Sequence, residues 1–466
     1  MIVTHSAWIL IIVGLYVAVT TLVGAWSAKY TKDTSSFMSA KNLMGPVVVG
    51  ILLMSEFIAT GSTLGTAETA YLKGISSSWN VISLGIAFIL YGIFMAPKFQ
   101  VSGAYTISGA LAKRYGAGTR MVVSLIMVYA LVVVDVAAFT GGGVIFATIL
   151  GISIQAGVWI IGVASILNVT LGGIRGVGFA NLIHMFFKFV SLITISIFGW
   201  LLLRQHPEMV ARIPAALYSP TGVGIKTLVS WTFANIGAIF ATQYVIQCIS
   251  SLTSEREARK ASFIAASFII PAGLLSAYIG VAARGIFPGI KPVMAFPMFL
   301  NAMPAWLGGI ATMGIVAVTF VTILACQIGT TALVMSDFVI PLLRPRESTR
   351  LRTTRLVSIL TGLVPIPFAL FVPGLLKTIF FARGLRTTIA MVAVFMFYLP
   401  RVGSGKGAMM GLIGSVIGTS IWFALGDPWF DNVYLAMFIP AAFLIGESLL
   451  RSQQDKLGAA KVAKSS

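Results

Sequence analysis

Charged residues are scarce in this sequence. Asp, Glu, Lys and Arg make up 10% of the 466 residues, whereas hydrophobic residues make up 58%. A soluble domain carries about 25% charged residues, so a water-soluble fold would leave too little polar surface to cover so many apolar side chains. Lipid is the solvent that accepts such a composition, and an apolar helix of about 20 residues crosses its hydrocarbon core. The composition therefore predicts a membrane protein.

Acidic residues are the rarer of the two charged classes, since 13 Asp and Glu face 32 Lys and Arg. The basic residues form no single patch with interleaved aromatics, so we expect no nucleic-acid partner. They lie instead between apolar runs, mostly on alternate loops, which predicts that those loops are cytoplasmic. We expect a multi-pass protein of the bacterial inner membrane, with its N-terminus outside and its C-terminus in the cytoplasm. The basic loops include Lys29, Lys41, Lys98, Arg120, Arg256, Lys260, Arg344, Arg355, Arg401 and Lys406.

Cysteine and histidine are also too few for several kinds of chemistry. The two cysteines, Cys248 and Cys326, lie in separate apolar runs, and the three histidines are scattered, so neither a disulfide nor a metal site is expected. No nucleophile and base stand together as a hydrolytic enzyme would require. We therefore expect a protein that is not an enzyme and has no cofactor. A sensor built on a transporter is disfavoured because the polar tail is short.

Long apolar runs recur along the chain and predict an all-α polytopic protein with about 13 transmembrane helices, because backbone groups in lipid must bond within their own helix. We expect one transmembrane domain over residues 1–450 and a short basic cytoplasmic tail over 451–466. The predicted spans cover 7–26, 45–64, 75–96, 121–148, 152–172, 181–203, 226–249, 263–283, 307–341, 354–376, 385–400, 406–424 and 430–450.

Two of these spans contain polar residues where a membrane helix would normally be apolar. The second span has an acid, hydroxyl residues and glycines between 54 and 65, and the seventh has a similar run between 231 and 243. Paired interruptions in equivalent positions are typical of transporters built from inverted repeats, whose binding site lies where the helices break. We predict breaks near Ser55–Ser62 and near Asn235–Ala238.

Six short stretches resemble the sodium:solute symporter family. Residues 234–247 are similar to its sodium/galactose branch, and residues 71–79 with 96–98 are similar to its sodium/proline branch. Residues 36–45, the pair 172–173 and the pair 407–408 also match in order and spacing. The resemblance implies a LeuT-type core of five-plus-five helices in inverted repeats, about 45–203 and 226–400, that exposes its site alternately to each side.

The resemblance also implies a sodium site beside the first break. Its carbonyl ligands fall at Ser55 and Ile58, and a hydroxyl ligand falls at Thr322. The family's neighbouring hydroxyl is replaced by Val321, for which Thr319 is the nearest substitute. A family aspartate is likewise replaced by Asn181, so no second sodium site is expected. The alternative for Thr322 is a hydroxyl bonded to its own helix.

Two ionisable residues in the predicted spans leave the coupling ion open. Glu56 is a candidate cation ligand, proton carrier or substrate anchor, because carboxylates inside a membrane are costly and usually functional; a structural pair with a base is the alternative. Lys188 lies mid-span, and a lysine near this place replaces a cation in some LeuT-type carriers that use protons. Its alternative is to extend toward the membrane surface. Sodium and proton coupling both remain possible.

Candidate substrate contacts follow from the same resemblance. Asn235 matches an asparagine that contacts sugar, although a helix-capping role is the alternative, and Ser62 and Gln243 are further polar candidates. Ala238 stands where the galactose branch has a gating tyrosine, which disfavours a sugar. Asp135, on the third core helix, would suit an amine or form a structural pair. We expect a small polar organic solute, an amino acid or a small carboxylate.

Overall fold

The structure is a computed structural model that describes residues 7–27, 45–371 and 375–465. Within those residues the chain is almost wholly helical and contains no β-strand, which confirms the predicted all-α class. The predicted outer N-terminus at 1–6 and all but the last residue of the family-like stretch 36–45 lie outside the described residues. The same holds for the end of the predicted tail, residue 466.

Fifteen principal helices follow one another along the described chain. They are α1 (Ala7–Ser27), α2 (Pro46–Phe57), α3 (Leu64–Lys73), α4 (Ile75–Ser102), α5 (Ile107–Leu150), α6 (Ile154–Ile174), α7 (Gly176–Gln205), α8 (Ile225–Ala241), α9 (Gln243–Ile249), α10 (Glu255–Ile286), α11 (Ala305–Leu343), α12 (Glu347–Phe371), α13 (Leu375–Tyr398), α14 (Gly405–Ala424) and α15 (Val433–Ser465).

Ten of these helices are long and apolar enough to cross a membrane, and α8 with α9 forms an eleventh span that is bent by 49°. The other two predicted spans correspond to α1 and to the interrupted pair α2 and α3. The count of 13 therefore stays a prediction, while a polytopic helical membrane protein is confirmed. Several boundaries differ: α5 begins 14 residues before the predicted span at 121, and α13 begins ten residues before the predicted span at 385.

The first predicted break is present. Helix α2 ends at Phe57, Ile58 leaves the helical region with φ −82° and ψ 70°, and α3 begins only at Leu64. The side chain of Ser62 turns back to donate a hydrogen bond to the carbonyl of Phe57. A hydroxyl of this kind satisfies a carbonyl at the helix end, which no water could reach in lipid.

The second break is displaced, and its prediction at Asn235–Ala238 is wrong. Helix α8 continues through those residues to Ala241, and the chain bends at Thr242, which has φ −61° and ψ 125°. The polar and small residues of α8 serve packing instead of a break. At Gly237, for example, an added Cβ would lie 2.1 Å from Oγ1 of Thr387 on α13, so only glycine allows these two helices to approach so closely.

The helices of the two predicted repeats pack into one another. Helix α10, from the second half, packs on α2, α3 and α4 of the first half, and α11 packs between α5 and the α6–α7 pair. Helix α8 packs on α4 and α13, and α13 also packs on α5. Both interrupted helices are therefore enclosed by protein, where broken backbone is tolerated inside a bilayer.

Three of the connections that were predicted to be cytoplasmic, at 97–120, 250–262 and 401–405, meet at one end of the bundle, which we call the basic end. There Arg114 donates to the carbonyl of Val402 at 3.1 Å, Gln100 donates to the carbonyl of Leu252 at 3.2 Å, and Ser250 donates to that of Ala104 at 2.7 Å. Contacts among these three connections support their placement on one side of the membrane. Which side this end faces stays a prediction.

The close packing of α11 on α7 generates a prediction about stability. A Cβ added at Gly314 would lie 2.2 Å from the carbonyl oxygen of Phe187, which is backbone and cannot rotate away. We expect Gly314→Ala to lower the free energy of unfolding by about 1–3 kcal/mol, the usual effect of overpacking. The melting temperature of the purified protein in detergent measures this change.

The matched control is Gly446→Ala in α15, where an added Cβ meets nothing within 4 Å. This variant should melt within experimental error of the parent. Equal melting of both variants and the parent would contradict the close approach of α11 and α7.

Candidate functional site

Lys188 points into the protein, so its predicted alternative of reaching the membrane surface is wrong. Its side chain is fully buried, and Nζ donates to the carbonyl oxygen of Ser55 at 2.6 Å and approaches the Ser55 hydroxyl at 3.4 Å. This carbonyl lies in the last turn of α2, where the helix leaves its carbonyls without intrahelical partners. An ammonium group therefore occupies a position that was predicted for a sodium ion.

The hydroxyl residues of α11 lie on the other side of the first break. Thr322 donates to the carbonyl of Val318 at 3.2 Å, which is the predicted alternative, but its oxygen also accepts from the backbone N–H of Thr60 at 3.5 Å. Thr319 donates to the carbonyl of Val316 at 2.8 Å. Thr322 thus faces the break, whereas the hydroxyl proton of Thr319 is bonded within its own helix.

Glu56 is buried next to Ser55, and its Oε2 atom has no hydrogen-bond partner. It lies within electrostatic range of Lys188 and Arg386. No ion pair within 4.0 Å joins Glu56 to either base in the described part of the chain. Glu56 is therefore within electrostatic range of two buried cations and forms an ion pair with neither.

Arg386 is a site residue that the sequence prediction missed. It lies in the middle of α13, is 4% exposed, and donates through Nη1 to the hydroxyl of Thr242 at 3.1 Å. Its Nε and Nη2 atoms are buried without partners. The prediction began this span at 385, which put Arg386 at a helix end. Two arginines three residues apart in an apolar run, Arg383 and Arg386, were the signal that could have identified it.

Asp135 lies on α5, as predicted. It is buried, its Oδ1 atom has no partner, and Arg386 is the base within its electrostatic range. The predicted alternative, a structural ion pair, has no counterpart within 4.0 Å among the residues described. Glu56 and Asp135 thus both lie within electrostatic range of Arg386, which contacts the α8–α9 break. Each of the three side chains has at least one buried polar atom without a hydrogen-bond partner.

Asn80 joins the first break to α13, and the sequence prediction missed it as well. Its Nδ2 donates to the carbonyl of Gly61 at 3.2 Å and to the hydroxyl of Thr66 at 2.8 Å. Its Oδ1 accepts from Nη1 of the buried Arg383 at 2.7 Å. One amide side chain thereby satisfies a carbonyl of the break and orients a buried cation.

Asn235 and Ser62 do not meet. Nδ2 of Asn235 donates to the carbonyl of Asn80 at 2.8 Å and to the hydroxyl of Ser83 at 2.6 Å, so it links α8 to α4. Its Oδ1 atom is buried without a partner. Ser62 bonds to the carbonyl that ends α2. Their role as substrate contacts stays a prediction, and the capping alternative for Asn235 does not apply, because its bonds reach another helix.

Gln243 lies at the basic end and uses both ends of its amide on backbone. Its Nε2 donates to the carbonyl of Tyr105 at 2.9 Å, and its Oε1 accepts from the N–H of Ile107 at 3.0 Å. Close by, Arg120 of α5 pairs with Asp337 of α11 at 2.7 Å. These contacts tie α9, α5 and α11 together on the basic side of the charged cluster.

Comparisons with known proteins agree with this architecture. The model of the sodium:solute symporter family matches residues 37–415. An uncharacterized symporter of Bacillus subtilis (strain 168), YwcA, is 24% identical over 88% of this chain and 86% of its own length. The high-affinity proline transporter PutP of the same organism is 23% identical over 53% of this chain and 55% of its own length.

Solved structures show the same fold at low identity. A Na⁺-coupled sialic acid symporter in a substrate-bound outward-open state superposes with a TM-score of 0.79, at 17% identity over 95% of this chain and 98% of that one. MhsT in complex with L-phenylalanine superposes with a TM-score of 0.57, at 14% identity over 88% of this chain and 99% of that one. These likenesses confirm the predicted LeuT-type fold.

The Asn80 contacts generate a prediction. Asn80→Ala removes the acceptor of a buried guanidinium and the donor to the break, so we expect it to lower the free energy of unfolding by about 2–3 kcal/mol, as for hydrogen bonds to charged groups. Asn168→Ala is the matched control, because Asn168 is equally buried but donates only to the carbonyl of Thr20, at 3.2 Å.

The control should lose about 1 kcal/mol, the typical value for a neutral hydrogen bond. Thermal melting of the two purified variants beside the parent measures the difference. If Asn80→Ala lowers the free energy of unfolding no more than Asn168→Ala does, the contact of Asn80 with Arg383 does not contribute to stability.

Proposed function

Because the chain belongs to the sodium:solute symporter family, we propose that it is a secondary active transporter that carries a small polar organic solute together with sodium. We propose the amino acid or small carboxylate class for this solute. The observation that supports the proposal is the pair of interrupted helices, α2 with α3 and α8 with α9, beside buried charged groups with unused polar atoms. Such a site between two repeats is where LeuT-type carriers bind their ligands.

Alternating access requires the two ends of the bundle to open in turn. We propose that the bonds from Gln243 to the backbone at 105–107 and the pair between Arg120 and Asp337 keep the basic end closed. We propose that these contacts separate when the site opens to the cytoplasm. Arg120 lies in the first predicted repeat, about 45–203, and Asp337 lies in the second, about 226–400. Rocking of one repeat against the other would therefore separate this pair.

For sodium we propose a site formed by the carbonyls of Ser55 and Ile58 with the hydroxyl of Thr322, and with Thr319 as a further donor. Sodium prefers several oxygen ligands, and a helix end supplies free carbonyls. Lys188 must then leave the carbonyl of Ser55 when sodium binds, because two cations on one oxygen repel strongly in a low-dielectric interior.

The contact of Lys188 favours a second candidate function, a carrier of the same fold that is proton-coupled or independent of sodium. Its ammonium already lies 2.6 Å from the Ser55 carbonyl, as a tethered cation would. Loss and return of the Lys188 proton would then replace the release and binding of sodium, and the adjacent Glu56 could accept or relay that proton. Both candidates move the same solute and differ in the coupling ion.

Transport itself is tested by reconstitution. Purified protein in liposomes with an inward sodium gradient should accumulate at least one labelled solute from a panel of amino acids and small carboxylates above its external concentration. Liposomes without protein, and proteoliposomes with the gradient collapsed, serve as controls. Uptake that only equilibrates with the outside would contradict active symport.

The coupling ion is tested with two variants. If sodium binds at Thr322, Thr322→Ala should raise the sodium concentration for half-maximal uptake about tenfold, which is about 1.4 kcal/mol for one lost ligand. If Lys188 serves as the cation, parent uptake should ignore sodium, collapse with a proton uncoupler, and be abolished in Lys188→Met.

Lys98→Met is the control, because Lys98 is an exposed lysine at the basic end. It should change neither the sodium dependence nor the effect of the uncoupler. Parent uptake that requires sodium and persists in Lys188→Met would exclude the lysine candidate; uptake that is indifferent to sodium would exclude the first.

A further inference from the structure

Two nitrogens on one edge of the buried Arg386 guanidinium have no hydrogen-bond acceptor among the described residues. Nη1 donates to the hydroxyl of Thr242, whereas Nε and Nη2 are buried without hydrogen-bond partners. Nε and Nη2 are the two parallel donors on one side of the fork, and their spacing matches the two oxygens of a carboxylate. An arginine cannot release its proton to escape burial, so this edge needs an acceptor.

We propose that Arg386 binds the carboxylate of the transported solute through Nε and Nη2, which makes the substrate an organic carboxylate. This inference rests on the transport function proposed above and narrows its substrate class.

The protein's own carboxylates leave this edge free. Glu56 and Asp135 lie within electrostatic range of Arg386, and each has an unpartnered buried oxygen. Neither comes within 4.0 Å of a guanidinium nitrogen among the described residues. A structural ion pair would have closed this distance, because leaving both partners buried and apart is costly.

The position of the edge fits a transported ligand. Thr242, which holds Nη1, is the residue at which α8 ends and the chain bends into α9. Asp135 contributes from α5, and Glu56 contributes from the turn of α2 that precedes the first break. The free edge therefore lies among helices of both predicted repeats, where a solute would be released as they rock apart.

Charge balance points the same way. Around the two breaks three buried bases, Lys188, Arg383 and Arg386, face two buried acids, Glu56 and Asp135. With all five ionised the cluster has one excess positive charge, which a monocarboxylate neutralises and an amine would increase. Buried charges are stable when they are paired, so an anionic group is the ligand that this cluster favours.

The test measures binding by thermal shift of the purified full-length protein with acids and their own amides. The pairs are L-lactate with lactamide, acetate with acetamide, and L-proline with L-prolinamide, and glycerol is the neutral reference. At least one acid should bind the parent about tenfold or more tightly than its amide, as expected for a buried charge-assisted pair. Arg386→Gln should abolish this preference.

Arg386→Lys keeps the charge and loses the fork, so it should weaken binding of the acid about tenfold while retaining some preference over the amide. It also decides the matter if Arg386→Gln does not fold. The matched control is Arg383→Gln, a buried arginine three residues away in the same helix whose Nη1 is bonded to Asn80. It removes one buried positive charge but leaves the Arg386 fork intact, so it should weaken binding of the acid and still keep a preference for the acid over the amide, even if its melting temperature falls.

Equal binding of acid and amide by the parent would overturn the inference, and so would an acid preference that survives in both Arg386 variants. Loss of the preference in Arg383→Gln alone would show that Arg383, not Arg386, binds the carboxylate, and would also overturn the inference. If no acid binds but glycerol or an amide is accumulated by proteoliposomes, the carboxylate assignment fails while the transport function stands. Failure to accumulate any solute counts against transport itself.

Discussion

A polar group inside the bilayer has no water to bond with, so each break in a helix must find its partners within the protein. At the first break the carbonyl of Ser55 receives the ammonium of Lys188, and the carbonyl of Gly61 receives the amide of Asn80. These donors come from α7 and α4, which must pack closely against the broken segment to reach it. The need for donors to these carbonyls therefore determines which helices pack against the break. The same carbonyl oxygens could also bind a cation.

The sequence was sufficient to predict the helical membrane class, most of the spans and the first break, because these depend on local composition. Long apolar runs must be helices in lipid. The polar residues around Glu56 interrupt such a run and therefore indicate a break. The basic loops could be assigned to one side of the membrane from the sequence as well, because Lys and Arg are excluded from the hydrocarbon and concentrate in cytoplasmic loops. Both Lys188 and Asp135 could be chosen from sequence alone as buried charges in mid-span.

The partners of those charges could not be predicted, because they depend on contacts between distant segments. Asn235 was expected at a break, but it lies inside α8 and bonds to α4, so its polarity serves helix packing. The predicted span began at 385, which put Arg383 in the preceding loop and Arg386 at a helix end, whereas α13 begins at Leu375 and buries both. Because the predicted span began too late, the prediction also missed Arg386, the guanidinium at the centre of the site.

Glu56 would connect the two proposed ligands electrostatically. It lies within range of both Lys188 and Arg386 and is paired with neither. A carboxylate bound to Arg386 would offset the positive field at Glu56, leaving its charge free to attract the cation beside Ser55, whether that is sodium or the Lys188 ammonium. Such coupling is reciprocal, so the cation would raise affinity for the carboxylate by the same factor. Cation affinity measured with and without bound solute reports this factor, and a ratio of one would leave Glu56 without a coupling role.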